Sequence, residues 1–358
     1  MSDPTTSIPV ATVPAATAAP DLRALPDPSD PRATAEAILF EIRRVIVGQD
    51  AMLERILVGL LSGGHLLLEG VPGLAKTLTI KTLADVLGGS FKRIQFTPDL
   101  MPSDLVGTRI YRPDRAEFDV ELGPVFANFL LADEINRAPA KVQSALLEVM
   151  QEQQVTIGHD THKVPDPFLV LATQNPIETE GTYALPEAQV DRFMLKVLVG
   201  YPTRTEEFVI VERQTTRQDP VAEVLTTGQL AELQREVDKI YVDPAVMEYA
   251  VRLAEATRAP QKAGLPEAQK YITYGASPRA SINMVLTAKA LAYIRGRDFV
   301  LPSDVKDMAL DVMRHRLVLS FEALSDNVTA DHILDALLLR VAAPVVPMRE
   351  SKNDRLSA

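Results

Sequence analysis

Gly70-Val71-Pro72-Gly73-Leu74-Ala75-Lys76-Thr77 decides the fold of this 358-residue chain. The stretch follows the apolar run His65–Glu69 and precedes a helical pattern from Leu78 to Leu87. Strand, glycine-bearing loop and a helix opening on Lys-Thr is the layout of a P-loop, whose backbone N–H groups converge on phosphate oxygens. In that layout the Lys76 ammonium reaches the β- and γ-phosphates of a nucleotide, and the Thr77 hydroxyl ligates Mg²⁺. Ala75 departs from the pattern, standing where a glycine is expected. The position reads as the start of the helix, where φ is negative and alanine fits. The competing reading is a strand-to-helix turn carrying a surface lysine.

Downstream, Asn128-Phe129-Leu130-Leu131-Ala132-Asp133-Glu134 is an apolar strand ending in two consecutive carboxylates. Adjacent carboxylates repel and must be solvated or neutralised; a bound Mg-nucleotide would neutralise them. Asp133 is then expected to hold Mg²⁺ through water, and Glu134 to polarise the attacking water as general base. Taken alone, the same letters also describe a strand running into a solvated acidic turn. After a P-loop, with one strand-helix-strand passage between, they read as a Walker B strand. The next strand ends in Thr173-Gln174-Asn175-Pro176, which places Asn175 for a hydrogen bond to the lytic water or γ-phosphate. A turn-forming Asn-Pro is its plain alternative.

The apolar runs His65–Glu69, Phe91–Phe96, Asn128–Ala132, Phe168–Thr173 and Phe193–Val199 alternate with helical patterns. Val142, Ala145, Leu146, Val149 and Met150 mark one helical face. Such alternation predicts an α/β fold: a parallel five-stranded sheet covered by helices on both sides, with ligands bound beyond the strands' carboxyl ends. Two hairpins interrupt it, at Gly107–Leu122 and Gln154–Lys163. The tip His159-Asp160-Thr161-His162 reads as solvated rather than as a metal site. After Gly200 everything reads as helical. The expected division is a tail at 1–31, a nucleotide-binding α/β domain at 32–200, an all-helical lid at 201–344 and a flexible tail at 345–358.

Composition narrows the function classes. The chain is 46% hydrophobic and 24% charged, ordinary for a globular protein. No stretch approaches the ~18 apolar residues of a membrane span, and no secretory leader is evident. The absence of cysteine excludes disulfides and thiolate metal sites, and fits a cytoplasmic, reducing compartment. Net charge is −11, so a global attraction to nucleic acid is missing.

The sequence resembles the MoxR-type AAA+ ATPases, in the branch with an insert in the second helix. The matching words are Val47-Gly48-Gln49, the loop Gly70–Thr77, LLADEINRAPAKVQSALLEVMQE (130–152), ATQNPIETEGTYALPEAQVDRF (172–193) and Ser277-Pro278-Arg279. They fall in order within roughly Ala33 to Leu339, and alanine before the P-loop lysine is familiar in this family. The resemblance implies adenine contacts at Val47, Gly48 and Gln49, and a sensor 1 at Asn175. It implies an arginine finger at Arg192 that enters a neighbouring subunit, and a sensor 2 at Arg279. It also implies ATP and Mg²⁺ as ligands, a ring that is expected to be hexameric, a protein client, and a separate von Willebrand factor A-domain partner. Plain alternatives are an Arg192–Asp191 ion pair and a helix-capping Arg279; Arg137 reads as an interface residue or an acidic neighbour's partner. A nucleic-acid motor, a magnesium-chelatase-like subunit and a non-hydrolysing scaffold are the rival functions. The balance of Arg109, Arg112 and Arg115 by Asp114, Glu117 and Asp119 disfavours nucleic acid.

Overall fold

The computed structural model describes residues 31–71, 73–176, 181–216 and 220–345. Apart from Pro31 and Val345, the tails expected at 1–31 and 345–358 lie outside the described residues, as does Pro72. In chain order, α1 (Pro31–Val45) and α2 (Asp50–Leu61) precede β1 (Leu66–Gly70), α3 (Lys76–Val86) and β2 (Phe91–Gln95). A short α4 (Pro102–Val106) leads into a hairpin of β3 (Gly107–Arg112) and β4 (Glu117–Leu122). Then come β5 (Phe129–Asp133), α5 (Ala140–Glu152) and a second hairpin of β6 (Gln154–Ile157) and β7 (Asp160–Lys163). β8 (Leu169–Gln174), α6 (Glu187–Val190) and β9 (Leu195–Val199) complete this half.

The five long apolar runs form one parallel sheet in the order β2-β5-β8-β1-β9. Side chains alternate faces along each strand, and the core divides accordingly. Leu66, Leu68, Phe129, Leu131, Leu169 and Leu171 pack with α1, α2 and α3. Leu67, Leu130, Ala132, Val170 and Ala172 pack with α5 and the second hairpin. Because β8 inserts between β5 and β1, the carboxyl ends that carry the P-loop, Asp133 and Asn175 lie side by side.

The chain leaves β9 at Gly200 and enters α7 (Arg204–Gln214) through a capping box. Thr203 accepts the Glu206 N–H, and the Glu206 carboxylate accepts the Thr203 N–H at 2.7 Å. There follow α8 (Thr227–Asp238), α9 (Pro244–Arg258), β10 (Ile272–Tyr274), α10 (Pro278–Ile294), α11 (Pro302–Met313), β11 (Val318–Leu319), α12 (Phe321–Ser325) and α13 (Ala330–Arg340). The expectation of an all-helical segment is corrected here. β10 and β11 pair antiparallel, Ile272 opposite Leu319 and Tyr274 opposite Val318. Strands this short are below the length at which alternation can be read. The apolar core under β1 and β9 continues without a break into α10 and α11 through Leu291, Val305, Met308 and Val312.

His65, just before β1, is buried. Its Nδ1 accepts the Val170 N–H at 3.0 Å, so the proton sits on Nε2, which donates to the Met150 carbonyl at 3.1 Å. Burial pulls its pKa down to about 4, with the Met150 hydrogen bond opposing. Below the ordinary value of about 6.5 the unfolded chain takes up a proton that the folded chain refuses until about pH 4. Stability is therefore present above pH 6.5 and lost as pH falls towards 4, by about 2 kcal/mol between pH 7 and 5 for this one group. Urea midpoints at the two pH values should show the loss, and a His65→Gln variant should show less of it. An equal loss in the variant would reject the assignment.

Candidate active site

A cleft of about 460 Å³ opens at the carboxyl edge of the sheet, lined by Gly73 to Leu78 and by Arg93, Gln95, Asp133, Glu134, Thr173 and Asn175. A smaller cavity of about 80 Å³ adjoins it, sharing Gly73, Leu74, Ala75 and Leu78 and walled by Val45, Ile46, Val47, Gln49, Pro202 and Ile210. One compartment is charged and open, the other narrow and largely apolar. The larger is a cleft and the smaller a slot beside it. Gln49 Nε2 donates to the Gly200 carbonyl at 2.8 Å and ties the α1–α2 turn to the end of β9. Gly48 turns the chain at φ +67° without lining the slot.

Three non-glycine residues bordering these cavities adopt the left-handed backbone region: Gln49 at φ +57°, Ala75 at +55° and Glu134 at +56°. Such residues cost roughly 1–3 kcal/mol each and gather where function demands them. Ala75 is a correction: its position reads as the start of the helix with negative φ, yet α3 begins one residue later, at Lys76. The Ala75 carbonyl caps the first turn by accepting both the Thr79 N–H and its hydroxyl, at 2.8 and 3.0 Å. The early N–H groups of α3 have no partner within the helix and are donors for an anion. At Glu134 the left-handed turn breaks the strand's alternation, so that Asp133 and Glu134, though consecutive, both face the cleft.

The acidic pair is braced. Thr173 Oγ1 donates to Asp133 Oδ1 at 2.6 Å and accepts the Glu134 N–H at 2.9 Å. Arg93 pairs with Asp133 Oδ2 at 2.6 Å, while Gln95 and Arg137 hold Glu134 Oε2 at 2.7 and 3.0 Å. Arginines from β2 and from the turn after β5 thus offset part of the charge on the two carboxylates, a contribution the sequence reading did not include. Lys76 Nζ donates to the Gly70 carbonyl at 2.7 Å. Burial lowers the lysine pKa, whereas Asp133, Glu134 and Glu69 pull it upward. Oxygen-bearing side chains in the cleft lining include the Thr77 hydroxyl and the Asp133 and Glu134 carboxylates. They suit Mg²⁺, which takes one or two carboxylates and completes its shell with phosphates and water.

Lys76, Thr77, Asp133, Glu134 and Asn175 come together in the cleft, and Val47 and Gln49 in the slot. Arg192 and Arg279 line neither. Arg192 is exposed and donates to the Leu147 carbonyl at 3.0 Å. Arg279, at the start of α10, lies 3.7 Å from Asp191. Sequence reading missed Arg93, Gln95 and Thr173; only a strand order placing β2 and β8 on either side of β5 could have found them. His162 also departs from its reading as part of a solvated tip: its ring packs edge-on against Phe126, 6.2 Å between centroids.

Comparison with known proteins agrees with this geometry. The model of the "ATPase family associated with various cellular activities (AAA)" matches residues 65–195, and that of the "AAA lid domain" matches residues 266–337. Chaperone MoxR1 of Mycobacterium tuberculosis is 56% identical over 313 residues, 87% of this chain and 83% of the relative. Protein MoxR of Paracoccus denitrificans is 33% identical over 294 residues, 77% of this chain and 86% of the relative. A crystal structure from Cytophaga hutchinsonii, 47% identical, superimposes with a TM-score of 0.84 over 88% of this chain and 96% of that one. Sheet order, helical lid and sequence agree, and the chain belongs to the MoxR family of AAA+ ATPases.

Proposed function

We propose that the chain binds ATP across the slot and cleft, hydrolyses its terminal phosphate, and uses the change to remodel protein complexes as part of a ring, expected to be hexameric. The observation that carries this reading is the convergence of Lys76, Thr77, Asp133, Glu134 and Asn175 in one cleft from the ends of three strands. Lys76 and the N–H groups of the loop would bind the β- and γ-phosphates. Thr77 and Asp133 would hold Mg²⁺, which when bound neutralises charge on the phosphate oxygens. Glu134 takes the proton of the attacking water, its orientation fixed by Gln95 and Arg137. Asn175 orients the water or the γ-phosphate. Arg279 reaches the γ-phosphate from the lid, and Arg192 completes a neighbouring subunit's site.

The first hairpin supports a protein client over nucleic acid. Arg112 and Arg115 are paired with Asp119 and Asp114, and Arg109 lies over the Phe118 ring. Tyr111 and Phe118, half exposed beside one another, offer an aromatic contact instead. A von Willebrand factor A-domain partner and a cytoplasmic location belong to the same reading.

Phosphate release by the purified chain with Mg–ATP tests it. Lys76→Ala is expected to lose nucleotide binding. Glu134→Gln is expected to bind ATP as before and to turn over ~10²–10⁴-fold more slowly, the usual weight of a positioned general base. Unchanged turnover in Glu134→Gln would remove the mechanism.

A further inference from the structure

The residue before Arg192 is held by the lid from three directions. Ser277 Oγ lies 3.0 and 3.1 Å from the two carboxylate oxygens of Asp191. Arg316 Nε donates to Asp191 Oδ1 at 2.9 Å, and Arg279 Nη1 stands 3.7 Å from Oδ2. Arg316 does more than pair with the acid. Its Nη2 donates to the Asp191 carbonyl at 3.0 Å and to the Phe193 carbonyl at 2.6 Å, and its Nη1 donates to the Met194 carbonyl at 3.3 Å. The carbonyls on both sides of Arg192 are thus fixed by one guanidinium, whose side chain is 0% exposed. His315 Nε2 lies 3.0 Å from the same Phe193 carbonyl.

We infer that Asp191 is a positioning residue through which Ser277, Arg279 and Arg316 set the orientation of Arg192, linking the nucleotide held by one subunit to the finger it offers the next. The inference rests on the roles given above to Arg192 and Arg279. Within the cluster the Arg279 contact is the longest, and its side chain is the most exposed at 47%. It is the contact most easily given up, since an exposed ion pair contributes little. When Arg279 turns to a γ-phosphate, Asp191 loses a cation, and Ser277, two residues earlier in the same segment, moves with it. Arg316 stays, because its charge is buried and Asp191 is its counter-ion. The carboxylate therefore registers the lid's position and passes it to the adjoining residue.

Subunit mixing tests this with the full-length chain and Mg–ATP. Asp191→Asn alone is expected to retain ATP binding and to lose about 10²-fold in kcat, the scale of a misplaced catalytic group, with KM little changed. Mixed with excess Glu134→Gln subunits, whose own sites are dead but whose finger segments are intact, its turnover per active site should recover. Failure to recover would overturn the inference, because the defect would then lie in the variant's own site. Arg192→Ala mixed in the same way is the control: if it does not recover, the finger reading itself is wrong and the inference falls with it. Should Asp191→Asn fail to fold, Ser277→Ala decides, since it leaves the Asp191–Arg316 pair in place. It should lose turnover several-fold with the same recovery on mixing, and wild-type turnover would overturn the proposal.

Discussion

Arg192→Ala is expected to lower ATP turnover by ~10³–10⁵-fold, the range over which arginine fingers act, while leaving ATP binding by the isolated chain nearly unchanged. The exposed guanidinium lies outside its own chain's cleft, so removing it takes nothing from ground-state binding there. On the proposed reading, what is lost is a cation that meets transition-state charge only after assembly, and such differential binding appears in kcat. Arg192→Lys should restore little, because a point ammonium does not reproduce a planar fork of donors. Wild-type turnover per subunit should rise steeply with protein concentration as sites are completed across subunits, and Arg192→Ala turnover should stay flat. Wild-type rates in Arg192→Ala would remove the trans finger.

How much of this was legible in the sequence depends on how far each feature reaches along the chain. Strand cores were readable because alternating burial on both faces leaves unbroken apolar runs, and Phe129–Asp133 lies within one residue of its expected bounds. The ends of β1, β5 and β8 were readable because polar residues that close an apolar run need a reason to be there. The backbone at Ala75 was not, since an alanine carries no mark of positive φ. Neither were Arg93 and Thr173, which reach Asp133 from neighbouring strands about 40 positions away in sequence. Arg316 is the extreme case: it lies in the turn Arg314-His315-Arg316 and meets Asp191 across 125 positions. Nothing local distinguishes it from a surface arginine. Local periodicity records which face is buried, whereas a buried ion pair is recorded only in the folded topology.

Arg316→Ala is accordingly expected to destabilise the folded chain by about 3–5 kcal/mol, the cost of breaking a buried pair and leaving one charge behind. Asp191 would keep a largely buried carboxylate beside Arg279 and Ser277 alone, and the carbonyls of Asp191, Phe193, Met194 and Val312 would lose a shared donor. Burial pushes the Arg316 pKa down to about 10 despite the attraction of Asp191, so desolvation outweighs the pairing. A pair of that kind adds little stability over an apolar replacement of similar size. The double variant Arg316→Met with Asp191→Asn should therefore unfold in urea closer to wild type than Arg316→Ala does. Its turnover should nonetheless remain low, because a methionine cannot hold the carbonyls on both sides of Arg192. An unchanged midpoint in Arg316→Ala would reject the clamp, and a double variant that regained turnover together with stability would reduce the cluster to packing.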